Sequence, residues 1–255
     1  MPSPPLFAAK NGPSGLRTEM TLSNQSRLHR GGAMKPSIPV IAIDGPSASG
    51  KGTVAQAVAK ALGFHFLDSG SLYRLVALAA LNSGAPWSDE KVLADLASKL
   101  DVKFRDGLIL MNNQDVTESI RSEACGEGAS RVGAVPGVRD ALLQRQRAFR
   151  QAPGLVADGR DMGTVVFADA PLKIYLTASV ETRAERRHKQ LKQKGIAATL
   201  PLLLRDLQER DLRDMSRAAA PLKPSPDAHL LDTTAMSAEA ATEQVLTWYR
   251  GLRKK

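Results

Sequence analysis

A glycine-rich stretch, GPSASGKGT, occupies residues 45–53 and follows an apolar run at 40–43. A segment with helical periodicity comes directly after it. A glycine-rich turn between a strand and a helix can hold phosphate, because free backbone N–H groups converge there and the helix dipole adds partial positive charge. The stretch therefore predicts a strand, a phosphate-binding loop and a helix in that order.

The spacing of Gly45, Gly50 and Lys51 fits the P-loop pattern, in which the lysine ammonium reaches between phosphates. Gly52 replaces the Ser or Thr that usually follows the lysine, and the hydroxyl comes one position later at Thr53. This variant is typical of small-molecule phosphotransferases, especially nucleoside monophosphate kinases, and it leaves open which group, if any, ligates Mg²⁺. A turn that binds nothing is the alternative, which the strand–loop–helix context disfavours. The residues predicted to bind the donor nucleotide are Gly45, Pro46, Ser47, Ala48, Ser49, Gly50, Lys51, Gly52 and Thr53.

Length and composition fit one domain with insertions. A chain of 255 residues can bury a sizeable core, and no apolar stretch is long enough to span a bilayer. The single cysteine, Cys125, excludes an intramolecular disulfide and fits a reducing cytoplasm. We expect it to be a packed helix residue in a cytoplasmic, monomeric protein that does not bind membranes.

The net charge of +9 suits a polyanionic partner, either a nucleic acid or a small nucleotide. The arginines are dispersed and stand beside acids, as Arg210 does between Glu209 and Asp211. A nucleic-acid surface more often shows a basic patch with interleaved aromatic residues. The pattern therefore favours a nucleotide and disfavours nucleic acid.

Residues 1–35 are rich in Pro, Gly, Ser and Asn and are predicted to be disordered. From residue 39 strands and helices alternate, which predicts a central parallel sheet with ligands at the carboxyl ends of its strands. The predicted core strands are 40–43, 64–67, 155–157, 173–176 and 230–232. The predicted helices are 51–62, 71–81, one that Ser88 caps, 117–131, 137–150, 179–194, 199–214 and 237–253.

From Val102 the pattern changes. Two short segments, 102–105 and 108–111, flank Asp106-Gly107, which suits a two-residue type I′ hairpin turn. A third short strand is predicted at 114–116. An antiparallel patch inside an α/β chain indicates an inserted subdomain.

Three polar segments follow core strands: the P-loop, residues 68–70, and residues 158–164. In a parallel sheet all three emerge at one edge, so the last two are predicted to hold an acceptor. Arg74 and Arg160 lie beside these strand ends. Arginine suits phosphoryl transfer because its planar fork stays charged.

These motifs resemble bacterial cytidylate kinases, which are P-loop nucleoside monophosphate kinases. The resemblance covers about residues 38–250, and 157–167 is its most specific part. The stretches that carry it are 43–47, 50–53, 67–70, Tyr73-Arg74, 145–150, 157–167, 209–217 and 220–222.

The resemblance implies a three-layer P-loop fold that transfers the γ-phosphoryl group of ATP to CMP or dCMP with Mg²⁺. The implied kinase domain is 36–255, in which the core is 36–94 and 151–255, the acceptor-binding insert is about 95–150, and the helical lid is about 183–217.

The resemblance also implies a set of substrate-binding residues. It places the acceptor phosphate near Arg74, Arg160 and Arg217, the cytosine near Ser130, Arg139 and Asp161, and the ribose near Ser69, Arg210 and Asp214, with Tyr73 and Asp158 completing the set. Lys51, Arg160 and Arg217 are the implied catalytic residues. No metal-ligating side chain is assigned, and no general base is needed because the acceptor phosphate is already an anion.

Cytosine chemistry agrees with this set. Ser130 and Asp161 can accept from the amino group, whereas uracil would turn a carbonyl toward the carboxylate, a mismatch that can discriminate by orders of magnitude. Among the basic residues of the lid helices, Arg210 and Arg217 are predicted to act. The others, some of which are predicted to pair with Glu185, Asp206 or Asp214, stay open: Arg183, Arg186, Arg187 and Arg213.

Three alternatives remain at this point. The same fold can phosphorylate UMP, AMP or another small acceptor. A P-loop switch would need effector-binding surfaces in place of the acceptor segments, and residues 158–167 speak against it. A nucleic-acid-binding protein would bind RNA or DNA with an affinity that falls steeply as the salt concentration rises.

Met34 stands just before the first predicted strand and is a candidate initiation site. We therefore expect a protein that begins at Met34 to keep the full activity and stability of the whole chain. Parallel kinase assays and thermal unfolding of the two forms check this, and a large loss of activity in the shorter form contradicts it.

Overall fold

A computed structural model describes residues 38–105 and 108–252. The predicted disordered stretch 1–35 and the hairpin turn at 106–107 lie outside these residues. The strands within them are β1 Val40–Asp44, β2 His65–Asp68, β3 Val102–Arg105, β4 Leu108–Met111, β5 Gln114–Asp115, β6 Leu155–Gly159, β7 Leu172–Thr177 and β8 His229–Asp232. The helices of two or more turns are α1 Lys51–Leu62, α2 Ser69–Ser83, α3 Glu90–Ser98, α4 Glu123–Val132, α5 Pro136–Arg147, α6 Val180–Gln193, α7 Leu200–Ser216 and α8 Ala238–Leu252.

Five strands form a sheet in the order β2-β6-β1-β7-β8, and every neighbouring pair is parallel. This confirms the predicted parallel α/β fold and each of its five core strands to within about two residues at either end. The central strands β1 and β6 are buried along their whole length, which explains why their sequences lack polar alternation.

Alternate residues of β1 serve two separate cores. Val40 and Ala42 pack into the core that includes α2, α3, α4 and α5. Ile41 and Ile43 pack on the opposite face with α1 and α8. Helices therefore cover both faces of the sheet, as expected for a three-layer fold. Cys125 is buried in α4, as predicted.

The insert contains the predicted antiparallel sheet. β3 pairs with β4, and β4 pairs with the short β5, in the order β3-β4-β5. The register aligns Arg105 with Leu108, which leaves two residues for the connection. Among the described residues, no helix combines the length and the apolar character needed to cross a membrane.

Three predicted helix starts are wrong in detail. Asp89, and not Ser88, caps α3, because its side chain accepts the N–H of Val92. α2 begins at Ser69, two residues early, because Asp68 caps it. The helix predicted at 117–131 is a short 3₁₀ turn followed by α4, and Ser122 caps the second part. In each case the side chain that reaches a free backbone N–H decides the boundary.

Gly45 lies where β1 passes closely beside β7. A Cβ atom at this position would stand 2.0 Å from the carbonyl oxygen of Leu176, which is fixed backbone. We expect Gly45→Ala to lower the free energy of unfolding by about 3 kcal/mol, the upper range for overpacking a well-packed interior. Denaturant unfolding measures the change.

Gly251→Ala is the matched control, because a Cβ atom at Gly251 meets open space. Its free energy of unfolding should stay within about 1 kcal/mol of the wild-type value. Equal stabilities for the two variants would contradict the proposed close contact at Gly45.

Candidate active site

The register of the parallel strands brings the three predicted segments to one edge of the sheet. Asp44 lies beside Gly159, and Asp68 lies beside Asp158. One correction concerns the segment 158–164, which is not a loop throughout. Asp158 and Gly159 belong to β6, and Met162–Val166 forms a single π-helical turn. The continued pairing of β6 with β1 extends the strand past its apolar part.

A cleft of about 770 Å³ opens at this edge. From the donor loop it is lined by Ser47, Ala48 and Lys51. All eleven residues that the sequence predicted for substrate binding also line it: Ser69, Tyr73, Arg74, Ser130, Arg139, Asp158, Arg160, Asp161, Arg210, Asp214 and Arg217. The structure thus brings together residues that are separated by as many as 170 positions in the chain.

Lys51 reaches back over its own loop. Its Nζ donates to the carbonyl oxygen of Pro46 at 3.1 Å and stands 3.9 Å from Oδ1 of Asp158. Burial, reinforced by repulsion from Arg160 and partly offset by Asp158, lowers the pKa of Lys51 to about 8. Burial raises the pKa of Asp158 to about 6, against the attraction of Lys51.

Arg160 is the most connected cation of the cleft. Its Nη2 donates to Oγ of Ser47 at 2.8 Å, its Nε to Oδ2 of Asp214 at 2.9 Å, and its Nη1 to the carbonyl oxygen of Gly159 at 3.1 Å. Burial acts to lower the pKa of Arg160, but the Asp214 carboxylate more than offsets this and raises the pKa above its usual value. Arg160 is therefore held, fully charged, between the donor loop and α7.

Arg210 is partly buried in the same region, and its buried Nε has no hydrogen-bond partner among the described residues. Burial, reinforced by repulsion from Arg160, lowers its pKa to about 10, and Asp214 offsets part of the shift. Lys51, Arg160 and Arg210 thus crowd like charges into a buried space, and each disfavours the ionisation of a neighbour. A bound polyanion such as a nucleotide phosphate would relieve this repulsion.

Arg139, Asp161 and Tyr73 form a second cluster of polar side chains in the cleft. Arg139 donates through Nη2 to Asp161 and through Nη1 to the carbonyl oxygen of Gly133. Its guanidinium carbon lies 5.9 Å from the centre of the Tyr73 ring. Asp161 is 2% exposed, so its carboxylate is held in one orientation.

Ser130 joins α4 to α7. It is buried, not a surface residue, and its Oγ donates to Oδ1 of Asp214 at 3.3 Å. Arg217 follows the end of α7 and donates through Nε to the carbonyl oxygen of Ala220 at 2.7 Å, while its Nη2 is buried without a partner. Arg74 lies at the cleft wall and donates to the carbonyl oxygen of Ile120 at 2.8 Å.

The structure assigns different partners to the undecided arginines. Arg183 donates to the carbonyl oxygen of Ser47 at 3.2 Å and pairs with Asp211 at 2.6 Å. Arg186 donates to the carbonyl oxygen of Ser49 at 2.9 Å. Both therefore support the P-loop from behind and do not project over the cleft as solvated lid charges would.

Arg187 and Arg213 lie nearer the insert. Arg187 pairs with Glu123 of α4, whereas Arg213 Nε lies 3.5 Å from Oγ of Ser130. Arg183 thus pairs with Asp211 of α7, and Arg187 pairs with Glu123 of α4. Asp214 of α7 pairs with Arg160, which lies outside that helix. Sequence spacing alone had pointed to Glu185, Asp206 and Asp214 on the same helices.

Two buried residues that the sequence did not single out also support the site. Gln146, which is 1% exposed, donates through Nε2 to the Tyr73 hydroxyl at 3.4 Å. Asp44 ends β1 and bonds to the backbone of the turn after Asp161. Both lie in stretches that carry the family resemblance, 43–47 and 145–150, but the sequence assigned neither of them a role of its own.

A larger cleft of about 1240 Å³ adjoins the first one. The side chains of Phe66, Phe104 and Phe149 line it, and the pair between Lys194 and Glu118 crosses it. No residue of the donor loop lines it. The chemistry therefore belongs to the smaller cleft, where Lys51 and the buried arginines meet.

Known proteins are similar in sequence to most of this chain. A protein from Paraburkholderia phymatum named cytidylate kinase is 58% identical over 224 residues, which are 86% of this chain and 98% of that protein. Cytidylate kinases from Burkholderia ambifaria and Cupriavidus necator are 60% identical over 214 residues and 58% identical over 216 residues. These matches cover 84% and 85% of this chain and 94% and 97% of the relatives.

The family model described as cytidylate kinase matches residues 41–251, which include every residue that lines the cleft. Both the P-loop and the segment that carries Arg160 and Asp161 fall inside that match. With this match over most of its length, and with a P-loop that follows a strand of a parallel sheet, the chain belongs to the cytidylate kinase family.

Proposed function

We propose that this protein transfers the γ-phosphoryl group of ATP to CMP or dCMP, giving ADP and CDP or dCDP. The observation that carries the proposal is the composition of one cleft. Lys51 and Arg160 stand at its donor end, and the Arg139–Asp161 pair stands at its other end. Such a cleft suits a phosphate donor and a nucleotide acceptor held head to head.

The acceptor base would be read by Asp161, Arg139 and Ser130. Asp161 and the Ser130 hydroxyl can accept from the exocyclic amino group of cytosine, and Arg139 can donate to its ring. The three side chains are held by their own contacts before substrate arrives. Uracil would set a carbonyl oxygen against the Asp161 carboxylate and leave buried polar groups mismatched, which disfavours UMP.

The ribose and phosphate of the acceptor would lie nearer the donor loop. Ser69 is buried next to Gly159 of β6, and Asp214 and Arg210 of α7 line the same cleft. Arg160, Arg217 and Arg74 would bind the acceptor phosphate. The buried atoms Nε of Arg210 and Nη2 of Arg217 lack partners in the protein, as expected of donors that bind a ligand.

In the transfer step an oxygen of the acceptor phosphate attacks the γ-phosphorus of ATP. The bond from that phosphorus to the bridging oxygen breaks, and ADP keeps the electron pair. The nucleophile is already an anion, so no side chain removes a proton. Lys51, Arg160 and Arg217 align the two phosphates and stabilise the charge that spreads over the transferring group.

Donor-side residues fit a nucleotide-bound Mg²⁺. Asp158 Oδ1 is buried without a hydrogen-bond partner, and Oδ2 lies 3.0 Å from where a Cβ atom of Gly52 would be. The carboxylate thus fills the space of the side chain that most P-loops carry after the lysine. Among the described residues no group of three or more His, Cys, Asp or Glu could hold a metal. We therefore expect phosphates and water to supply most ligands, and bound Mg²⁺ to neutralise phosphate charge.

We further propose that the insert, about 95–150, binds the acceptor, and that the helices at about 183–217 form a lid. The remainder of 36–255, which is 36–94 and 151–255, would be the core. The bond from Ser130 in α4 to Asp214 in α7 links the insert to the lid at the cleft. A cytoplasmic, monomeric protein that binds neither nucleic acid nor membranes remains a prediction.

The acceptor is tested with a panel of CMP, dCMP, UMP, AMP and GMP, each with Mg·ATP, by measuring ADP release and the diphosphate product. We expect CMP and dCMP to be the preferred acceptors and UMP to be much poorer, because of the Asp161 carboxylate. Absence of CMP turnover would end the proposal, and preferred turnover of UMP or AMP would assign another acceptor to the same fold.

Arg160→Ala tests the transfer step. We expect kcat to fall by about 10³, the lower range for loss of an arginine that stabilises transition-state charge. Arg250→Ala is the control, because Arg250 is exposed on α8 and pairs with Glu243 of the same helix. Its kcat should not change.

Thermal unfolding of both variants shows whether the fold survives, since Arg160→Ala also leaves Asp214 without its partner. Arg160→Lys, which keeps the charge without the fork, should fall between the wild type and the alanine variant. A loss smaller than about tenfold for a folded Arg160→Ala protein would count against the proposed role.

A further inference from the structure

Asp44 is a buried carboxylate that holds a neighbouring segment of the site by its backbone. It is the last residue of β1 and directly precedes the P-loop glycine Gly45. Its Oδ1 accepts the N–H of Met162 at 2.8 Å, and its Oδ2 accepts the N–H of Gly163 at 2.8 Å. Both oxygens are therefore used on one neighbour.

The two N–H groups open the helical turn Met162–Val166. The first N–H groups of a helical turn have no partner within it, so Asp44 satisfies them from another strand. The carbonyl oxygen of Asp161 closes the same turn by accepting from Val165 and Val166. The orientation of Asp161, and of Arg160 before it, thus depends on how Asp44 holds this turn.

Burial of the Asp44 carboxylate carries a cost in folding free energy. It is 5% exposed, and burial raises its pKa to about 7, although the two N–H groups act in the opposite direction. Repulsion from Asp161 and Asp158 adds to the rise. Asp44 does not line the cleft, so contact with a substrate does not explain it.

Space around the contact is tight on the side of the turn. A Cβ atom at Gly163 would lie 3.4 Å from Oδ2 of Asp44 and 3.2 Å from Cγ of Lys173. The tighter of these contacts is with Lys173, and the distance to Asp44 is that of ordinary van der Waals contact. A change on either side of the contact should move the turn.

We propose that Asp44 is a positioning residue, which ties the donor loop to the segment that presents Arg160 and Asp161 and so sets how well the enzyme selects its acceptor base. The inference rests on the proposed function. Asp44 acts through the backbone of Met162 and Gly163, and its effect should appear mainly in acceptor recognition.

The test compares Asp44→Asn with the wild type in KM for CMP, KM for ATP, and the ratio of kcat/KM between CMP and UMP. Asparagine has nearly the same shape, but its amide group turns a donor toward one of the two N–H groups. Loss of one such bond is worth about a tenfold change in equilibrium. We expect KM for CMP to rise about tenfold and the CMP:UMP ratio to fall about tenfold, while KM for ATP changes by less than about twofold.

Val245→Ala is the control for a merely structural effect. Val245 is buried in α8, in the core that contains Ile43, and does not line the cleft. We expect this variant to lose stability and to keep its CMP:UMP ratio. Should Asp44→Asn fail to fold, Gly163→Ala disturbs the same contact from the other side and should lower the same ratio.

The outcomes separate the two proposals. A wild-type protein that does not phosphorylate CMP contradicts the proposed function. If the wild type phosphorylates CMP, the role of Asp44 alone is contradicted when the CMP:UMP ratio of folded Asp44→Asn stays within about twofold of the wild-type ratio. The same criterion applies to Gly163→Ala if it replaces Asp44→Asn. An equal drop in the ratio for Val245→Ala would also overturn that role, because it would show a general effect of lost stability.

Discussion

The parallel pairing of β1 with β6 brings the phosphate-binding loop next to the segment that carries Arg160 and Asp161. The register sets Asp44 beside Gly159, so the two strands end at the same level and their next residues diverge on one edge. The hydrogen bond from Arg160 to Ser47 depends on this alignment. A shift of register would separate the donor loop from the arginine.

Charge is distributed unevenly at this edge. Lys51, Arg160 and Arg210 are buried close together, and burial acts against the charge of each one. Asp214 compensates Arg160 fully enough to raise its pKa, but Arg210 remains under-compensated. Positive charge is thus concentrated near the donor loop, where it would attract a phosphate, although basic and acidic side chains line the whole cleft in equal number.

Much of the fold was predictable because its signals are local. Apolar runs without alternation indicated strands buried on both faces, and the β1 to α1 segment appeared where the glycine pattern predicted it. The errors fell at boundaries. Asp89 competes with its neighbour Ser88 for the same free N–H groups, and the sequence does not show which side chain reaches them.

The sequence by itself determined the parallel α/β core and the donor loop, because glycine spacing and apolar runs act over a few residues, and its resemblance to cytidylate kinases implied the set of polar residues in the cleft. Only the tertiary structure decided the tasks of the arginines. Arg183 and Arg186 bond to carbonyl oxygens of the P-loop, whereas Arg210 is left without a partner for its Nε. Asp44 likewise acquires its role from a turn 118 residues further along the chain. Side chains of the same type differ only in the groups that folding brings to them, and those groups come from distant parts of the sequence.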